Sequence, residues 1–418
     1  MNQDPTPSSS LLKLVGPLNI VIVGGGVTGL FCAHYLMKDK HKVTVVEKNE
    51  TGSVTSVYNA GLLTPSLAPT PRMGLGKILS PYLGREQAVY ISPRQILSNT
   101  GWFRTALTKG LAGYEDKLIR MGHESLKLYQ AFFAETGFRP DVVEGVAALY
   151  VEGADARAAQ ASQGGELLDE TSISRMGYRG FHGGIMFEEE LSINPAKLYR
   201  SLWDLVFSHG NAELIVGNDV RFVTEQNDSI YVDGKKISSN VIILTAGSWS
   251  RELCQQLRYN PQILPARGLA ILFDTGGEEI VTTPVVLEDY GIGLAQHDKS
   301  TLRLTGFFEM VGFRTDFPDN RKKWVLDRFK RHVVKSDQVR IVEEGVGFRP
   351  CTPDQMPVIG LVPGHQNVYI ASGNCRLGVT LAPATANLIR LMIPETGPAL
   401  MSSTPRHPSW YAPDRFAS

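Results

Sequence analysis

The stretch Asn19-Ile-Val-Ile-Val-Gly-Gly-Gly-Val-Thr-Gly29 decides the fold class. The run Leu18 to Val23 is apolar and rich in Ile and Val, as a strand buried on both faces of a parallel sheet must be. Gly24, Gly26 and Gly29 then satisfy G-x-G-x-x-G, and Leu30 to Met37 carries helix-forming residues. Such glycines permit a tight turn, the close approach of a pyrophosphate, and close helix–strand packing. The helix N-terminus adds amide donors and the positive end of its dipole. Lys42 to Glu47 reads as a second strand, ending in an acid 18 residues after Gly29. A carboxylate there accepts hydrogen bonds from ribose hydroxyls and repels a 2′-phosphate, which disfavours NADP. A glycine-rich turn with an incidental acid does not account for strand, turn, helix and acid together.

Three further stretches extend the site. Asn59-Ala-Gly-Leu-Leu-Thr-Pro-Ser66 follows the second strand, and its small residues would let backbone approach a flat ring closely. Ser239 to Leu244 is another buried strand, ending in Thr245-Ala-Gly-Ser-Trp249 at the carboxyl edge where open α/β sheets bind ligands. Near the C-terminus, Gly345-Val-Gly-Phe-Arg-Pro-Cys-Thr-Pro-Asp354 and Ser372-Gly-Asn-Cys-Arg-Leu-Gly-Val-Thr-Leu-Ala-Pro383 place Arg349 and Arg376 in glycine-rich turns. A cofactor site at one end and cationic anchors at the other suggest an enzyme acting on an anionic small molecule.

In this order and spacing, these segments resemble the FAD-dependent D-amino-acid oxidase superfamily. The nearest likeness is to small-subunit type D-amino-acid dehydrogenases and glycine oxidases. The matching pieces run from residue 19 to about 390 and include Val23 to Gly29, Asn59 to Leu62, Ala246-Gly247 with Trp249, Gly347-Phe-Arg-Pro350, Thr352-Pro-Asp354, and Leu377-Gly378 through Thr385. The resemblance implies an α/β fold, with a Rossmann-type FAD-binding domain built from discontinuous segments and an α+β substrate domain on an antiparallel sheet. The expected FAD-binding segments are 18–100, 185–255 and 340–418; the substrate domain takes 101–184 and 256–339, and 1–17 is an N-terminal arm.

The resemblance also implies non-covalent FAD. Its contacts fall on Gly24, Gly26, Val27, Thr28, Gly29, Glu47 and Lys48, on Asn59, Ala60, Gly61 and Leu62, and on Val220, Ala246, Gly247 and Trp249. A last group is Gly373, Asn374, Arg376, Leu377, Gly378, Val379 and Thr380. Arg349 is expected to pair with the substrate carboxylate, assisted by Arg376, with Tyr290 or Phe307 capping the substrate from the sheet side. Where glycine oxidase-like sequences carry Gly-His-Phe before the second arginine, this chain reads Gly373-Asn374-Cys375.

The chemistry so implied is hydride transfer from a substrate Cα to flavin, leaving an imine that water hydrolyses to a 2-keto acid. A small D-amino acid is the leading substrate, with electrons passing to a quinone-like acceptor. Glycine, sarcosine or proline oxidation, 2-hydroxy-acid oxidation and a non-catalytic flavin binder stay open as alternatives. His182 and His297 are visible candidate bases, each more readily explained as a structural histidine.

Composition narrows the partners. With 42 basic and 42 acidic residues and no basic stripe, nucleic acid is not an expected partner. Cys32, Cys254, Cys351 and Cys375 form no C-x-x-C pair, which reads as a reducing cytosol without a metal site. The only apolar run near the N-terminus is the first strand, too short to span a bilayer. The expected location is cytoplasmic, with a peripheral contact to the inner face of the membrane left open.

Elsewhere, periodicity predicts a helix over Glu115–Thr136 with Leu118, Met121, Leu126, Tyr129 and Phe132 as core, and helical character from Arg94 to Gly113. Short helices are predicted over Asp155–Leu168 and Ser172–Met176, a capped helix start at Asn194-Pro195, and a covering helix over Arg321–His332. The acidic run Glu188-Glu-Glu190 reads as a solvated turn.

Overall fold

The computed structural model describes residues 17–49, 55–67, 88–108, 113–208, 212–223, 229–393 and 408–416. The strand Asn19–Val23 lies inside a six-stranded sheet, where Ile22 faces Val45 on one side and Ile243 on the other. Neighbours on both edges explain why this strand carries no polar alternation. The sheet order is Val358–Leu361, Val368–Ser372, Val241–Leu244, Asn19–Val23, Lys42–Glu47 and Ala212–Val216. All these pairs are parallel except the first, which is antiparallel. The fingerprint helix Val27–Lys38 leaves the centre of this sheet at its carboxyl edge.

The predicted helix Glu115–Thr136 forms over that span and ends at Gly137, whose φ of 69° suits a left-handed cap. Its apolar stripe shares one core with the helices Val27–Lys38, Pro195–Phe207 and Ala382–Met392. Phe31 meets Tyr129 edge to face with ring centres 5.5 Å apart. The buried Tyr129 hydroxyl donates to the Val379 carbonyl at 2.7 Å, tying this helix to the turn that follows Arg376.

A ten-stranded sheet forms the second layer. Its main path runs Arg340–Cys351, Leu264–Asp274, Thr301–Met310, Ile292–Asp298, Val285–Leu287, Val143–Tyr150, Gly183–Ser192 and Leu62–Leu63. Val89–Ile91 joins beside Thr301–Met310, and Glu166–Leu168 beside Gly183–Ser192. The sheet is mainly antiparallel, with parallel pairing of Val285–Leu287 to Val143–Tyr150 and of Val89–Ile91 to Thr301–Met310. It recruits strands from both sides of positions 185 and 340, because Gly183–Ser192 and Arg340–Cys351 both pair into it. The helix Asp319–His332 covers one face, with Phe329 stacked on Phe273 at 4.6 Å.

Several local expectations are corrected. The helix from Arg94 is two helices, Pro93–Ser98 and Thr100–Thr108, broken at Asn99, and residues 109–112 lie outside the described residues. The helix expected over Asp155–Leu168 stops at Gln163, because Gly164 and Gly165 both take positive φ; Glu166–Leu168 then pairs as a strand. The run Glu188–Glu190 is not a turn. It lies in the strand Gly183–Ser192, with Glu190 only 1 % exposed. Residues 1–16 of the expected arm are outside the described residues.

Candidate active site

The fingerprint turn is built by exclusion of side chains. Gly24 has φ of 113°, and a Cβ there would lie 2.7 Å from the Thr245 carbonyl carbon. A Cβ on Gly29 would lie 2.0 Å from the Gly24 oxygen, so this glycine serves helix–strand packing. Thr245 Oγ1 donates to that same Gly24 oxygen at 2.7 Å, locking the turn to the neighbouring strand. The amide of Val27 at the helix start donates to Ser56 Oγ at 3.1 Å. Glu47 is 6 % exposed, and its carboxylate accepts from the amides of Gly25 and Lys48 at 2.7 and 2.9 Å.

These groups open into a cavity of about 610 Å³ that reaches from Glu47 and the helix start to Arg349. Of the expected cofactor residues, it is lined by Gly24, Gly26, Val27, Thr28, Glu47, Lys48, Asn59, Val220, Ala246, Gly247, Trp249, Asn374, Gly378 and Val379. Lys48 Nζ sits 3.5 Å above the Trp249 ring, which stacks in turn on Phe313 at 4.8 Å. Burial pushes the Lys48 pKa down, opposed by Glu47 and Glu252.

Arg349 closes the far end. Its Nη1 donates to the Phe307 carbonyl at 2.7 Å, and that is its one hydrogen bond among the described residues. Phe307 holds a φ of 65°, at a point where pairing between the strands Leu264–Asp274 and Thr301–Met310 slips. The irregularity frees its carbonyl from the ladder and aims it at the guanidinium. Burial, then repulsion from Arg376, brings the Arg349 pKa down to about 10, so it stays cationic at neutral pH. No carboxylate among the described residues forms an ion pair with it. Arg376 keeps exposed surface, yet the surrounding protein lowers its pKa by desolvation, an effect Glu288 opposes. Its Nη2 donates to the Leu67 carbonyl at 3.0 Å.

The remaining expected residues stand behind this wall. Gly61 abuts the Ile193 carbonyl and His297, Thr380 Oγ1 donates to the Leu62 carbonyl at 3.3 Å, and Leu377 is core. Ala60 packs toward Gly293, and Gly373, with φ of 81°, turns against Thr352 and Val358. Tyr290 is misassigned as a cap. Its hydroxyl meets His332 Nε2 at 3.1 Å, and its ring packs against Trp324 beneath the covering helix. His297 Nε2 hydrogen bonds Ser192 Oγ at 2.7 Å, and burial brings its pKa down to about 3. It is a neutral structural residue. His182 pairs with Glu170 on the surface.

Sequence reasoning missed Ser56, Thr245 and Phe348, all of which line the cavity. Thr245 had a readable signal, since it ends a buried strand immediately before Ala246-Gly247; Ser56 had none. It also missed a disulfide. Cys351 and Cys375 are joined, with Cα atoms 4.3 Å apart, while Cys32 and Cys254 are free and buried. The lack of a C-x-x-C pair, read as a sign of a reducing cytosol, gave no hint of this bond.

Residues 19–391 match the family model described as FAD dependent oxidoreductase (DAO). The chain belongs to this family of FAD-dependent oxidoreductases. It is similar to the D-amino acid dehydrogenase of Vibrio vulnificus (strain YJ016), 22 % identical over 90 % of this chain and 96 % of that one. Its fold is similar to glycine oxidase from Geobacillus kaustophilus (TM-score 0.72, 19 % identity, covering 94 % of this chain and 100 % of that one). It is likewise similar to L-proline dehydrogenase from P. horikoshii (TM-score 0.71, 17 % identity, covering 97 % and 99 %). The oxidoreductase is thus of the amino-acid dehydrogenase or oxidase type, and FAD is its cofactor.

The cavity suits that cofactor on its own evidence. Ser56 satisfies the Val27 amide where a phosphate oxygen could replace it, and Gly26 leaves that side open, with only Ser56 Oγ near its missing Cβ at 3.5 Å. Asn374, 3 % exposed on the cavity wall, has a buried Oδ1 without a hydrogen-bond partner among the described residues. A buried acceptor of this kind needs a donor, and a ligand in the cavity is placed to supply it. No helix among the described residues is long and apolar enough to cross a membrane.

Proposed function

We propose that this oxidoreductase deaminates a small amino acid, of D configuration, to the imine and then the 2-keto acid, passing electrons to a quinone-like acceptor. The observation that carries the anionic substrate is Arg349, a desolvated guanidinium with no counter-carboxylate among the described residues. Arg349 is half-buried, so leaving its charge without a partner carries a desolvation cost that an incoming carboxylate offsets. The unused Nη2 and Nε offer two donors in a plane, so the substrate is oriented as well as held. Bound FAD supplies the two-electron acceptor for the hydride leaving the α-carbon. The protein's share is to fix the carboxylate and keep the α-carbon oriented.

No histidine lines the cavity among the described residues, so the proposal has the amine arrive neutral and give up its electron pair to the C=N bond without a dedicated imidazole base. The D configuration is supported by the likeness to the Vibrio vulnificus D-amino acid dehydrogenase. By the same reasoning, FAD is held by the segments around Gly24, Asn59, Ala246 and Asn374.

The test is anaerobic bleaching of the bound flavin by a panel of D- and L-amino acids, proline, sarcosine and 2-hydroxy acids. D-amino acids should bleach fastest, and readmitted air should restore colour more slowly than an added quinone does. Faster bleaching by any other class would displace the D-amino acid.

A further inference from the structure

We propose that the disulfide between Cys351 and Cys375 is a reducible clamp that holds Arg349 and Arg376 at their working separation. Opening it with a small dithiol lowers the affinity of the site for its carboxylate. This rests on the reading of Arg349 as the carboxylate anchor.

The placement carries the argument. Cys351 follows Arg349 by two residues on the strand Arg340–Cys351, and Cys375 immediately precedes Arg376 in the turn after Val368–Ser372. The crosslink therefore joins the ten-stranded sheet to the six-stranded sheet at the pair of guanidiniums. Those two cations repel each other, which adds to the larger effect of burial in lowering the Arg349 pKa. Arg349 is tied to the Phe307 carbonyl and Arg376 to the Leu67 carbonyl, on separate segments that the crosslink joins. Backbone pairing there amounts to one isolated bridge, Cys351 with Asn374. Cys375 itself has φ of 42°, a region that L-residues adopt at a cost, so the turn gains freedom once the crosslink is gone.

The bond also has a dry side and an open side. Trp102, Phe103, Leu264 and Met310 pack around the two cysteines, and Trp102 Nε1 donates to the Cys351 carbonyl at 3.3 Å. Cys375, 8 % exposed, nonetheless forms part of the cavity wall, and that is the side from which the clamp requires a reductant to enter. In the reaction the S–S bond breaks and each sulfur leaves as a thiol. The dithiol supplies two electrons and two protons and closes to its own disulfide. With both sulfurs engaged in this bond, neither is available for a thioether to flavin.

The experiment uses full-length protein with and without FAD, and benzoate as the anion, because a carboxylate lacking an α-hydrogen binds without turnover. Benzoate affinity is measured by calorimetry before reduction by dithiothreitol, after it, and after reoxidation, and alkylation in denaturant counts the thiols by mass. We expect two alkylated cysteines in untreated protein and four after reduction. Affinity should fall about tenfold on reduction, the worth of one charge-assisted hydrogen bond, and return on reoxidation. The double variant Cys351→Ser/Cys375→Ser should keep its flavin, bind benzoate weakly and ignore dithiothreitol.

Full alkylation with unchanged affinity would overturn the clamp, and so would cysteines that stay unalkylated after reduction. Arg349→Lys separates the two ideas. If it weakens benzoate while reduction does nothing, the anchor stands and the clamp falls; if it leaves benzoate unaffected, both fall.

Discussion

At Gly268 the chain omits a side chain where the Arg349 guanidinium lies: a Cβ there would stand 2.4 Å from Nη1 and 2.5 Å from Nη2. The strand beside it supplies the other half of the seat. Phe307 presents its carbonyl to Nη1, while the Arg321 guanidinium lies 4.4 Å from the Phe307 ring. Arg321 is held at 2.6 Å by the buried Glu309, whose other oxygen holds Arg267 at 2.7 Å. Gly268→Ala should therefore tilt the Arg349 guanidinium and raise the substrate KM about tenfold, the loss of one charged hydrogen bond, with flavin content and kcat little changed. Steady-state kinetics with the best bleaching substrate check this, and an unaltered KM would remove Gly268 from the seat. Arg349 was legible in the sequence because Gly347-Phe-Arg-Pro350 is a local pattern. Gly268 was not, and Phe307 was read only as a cap and not as the carbonyl that receives Arg349, because both act across a strand pairing that chain distance does not encode. The direction of Tyr290 failed for a related reason: the same short helix, Glu288–Tyr290, carries it toward His332 while Glu288 acts on Arg376.

Among the elements, the short turn Pro65–Leu67 links the core to the site. Its Ser66 amide donates at 2.7 Å to Glu190, and its Leu67 carbonyl receives Arg376. Burial raises the Glu190 pKa from 4.5 to about 7, against the lowering effect of the Ser66 hydrogen bond, and the second carboxyl oxygen is buried without a partner among the described residues. A carboxyl whose folded pKa lies above its unfolded value gives stability that is complete below about 4.5 and fades as pH rises through about 7. Glu190→Gln keeps an acceptor for Ser66 and removes the ionisation. It should raise Tm at pH 8 and change it little at pH 5, read by thermal denaturation at both values. Equal shifts at the two pH values would show that Glu190 does not titrate as its burial implies. The sequence hid this residue because three successive glutamates suggest solvent, whereas the strand Gly183–Ser192 buries the third. Continuous patterns fared better: Glu115–Thr136 and Lys42–Glu47 could be read to the residue, since period and length leave one solution.

Across the whole molecule, the cavity gathers residues from Val23 to Val379, and its walls belong to both large sheets. The parallel sheet contributes the glycine turn and the Ala246-Gly247 edge. The mixed sheet contributes Phe348 and Arg349, and the crosslink at Cys375 joins the two. A cofactor filling such a space adds contacts to the shared core and the crosslink that already join the two sheets, so its binding free energy is also cohesion between them. FAD bound to the folded chain alone contributes about 2.7 kcal/mol at a free concentration one hundred times its Kd. Apo-protein should accordingly melt below the FAD-loaded form, with Tm climbing with the logarithm of added FAD. Free riboflavin, which lacks the phosphates and adenosine, should give little of this rise, because the glycine turn, the Val27 amide and Glu47 would stay unfilled. Differential scanning calorimetry over a series of FAD concentrations measures the effect. A Tm indifferent to FAD would mean that the two sheets cohere without it, and an equal rise with riboflavin would remove the fingerprint turn as the source of affinity.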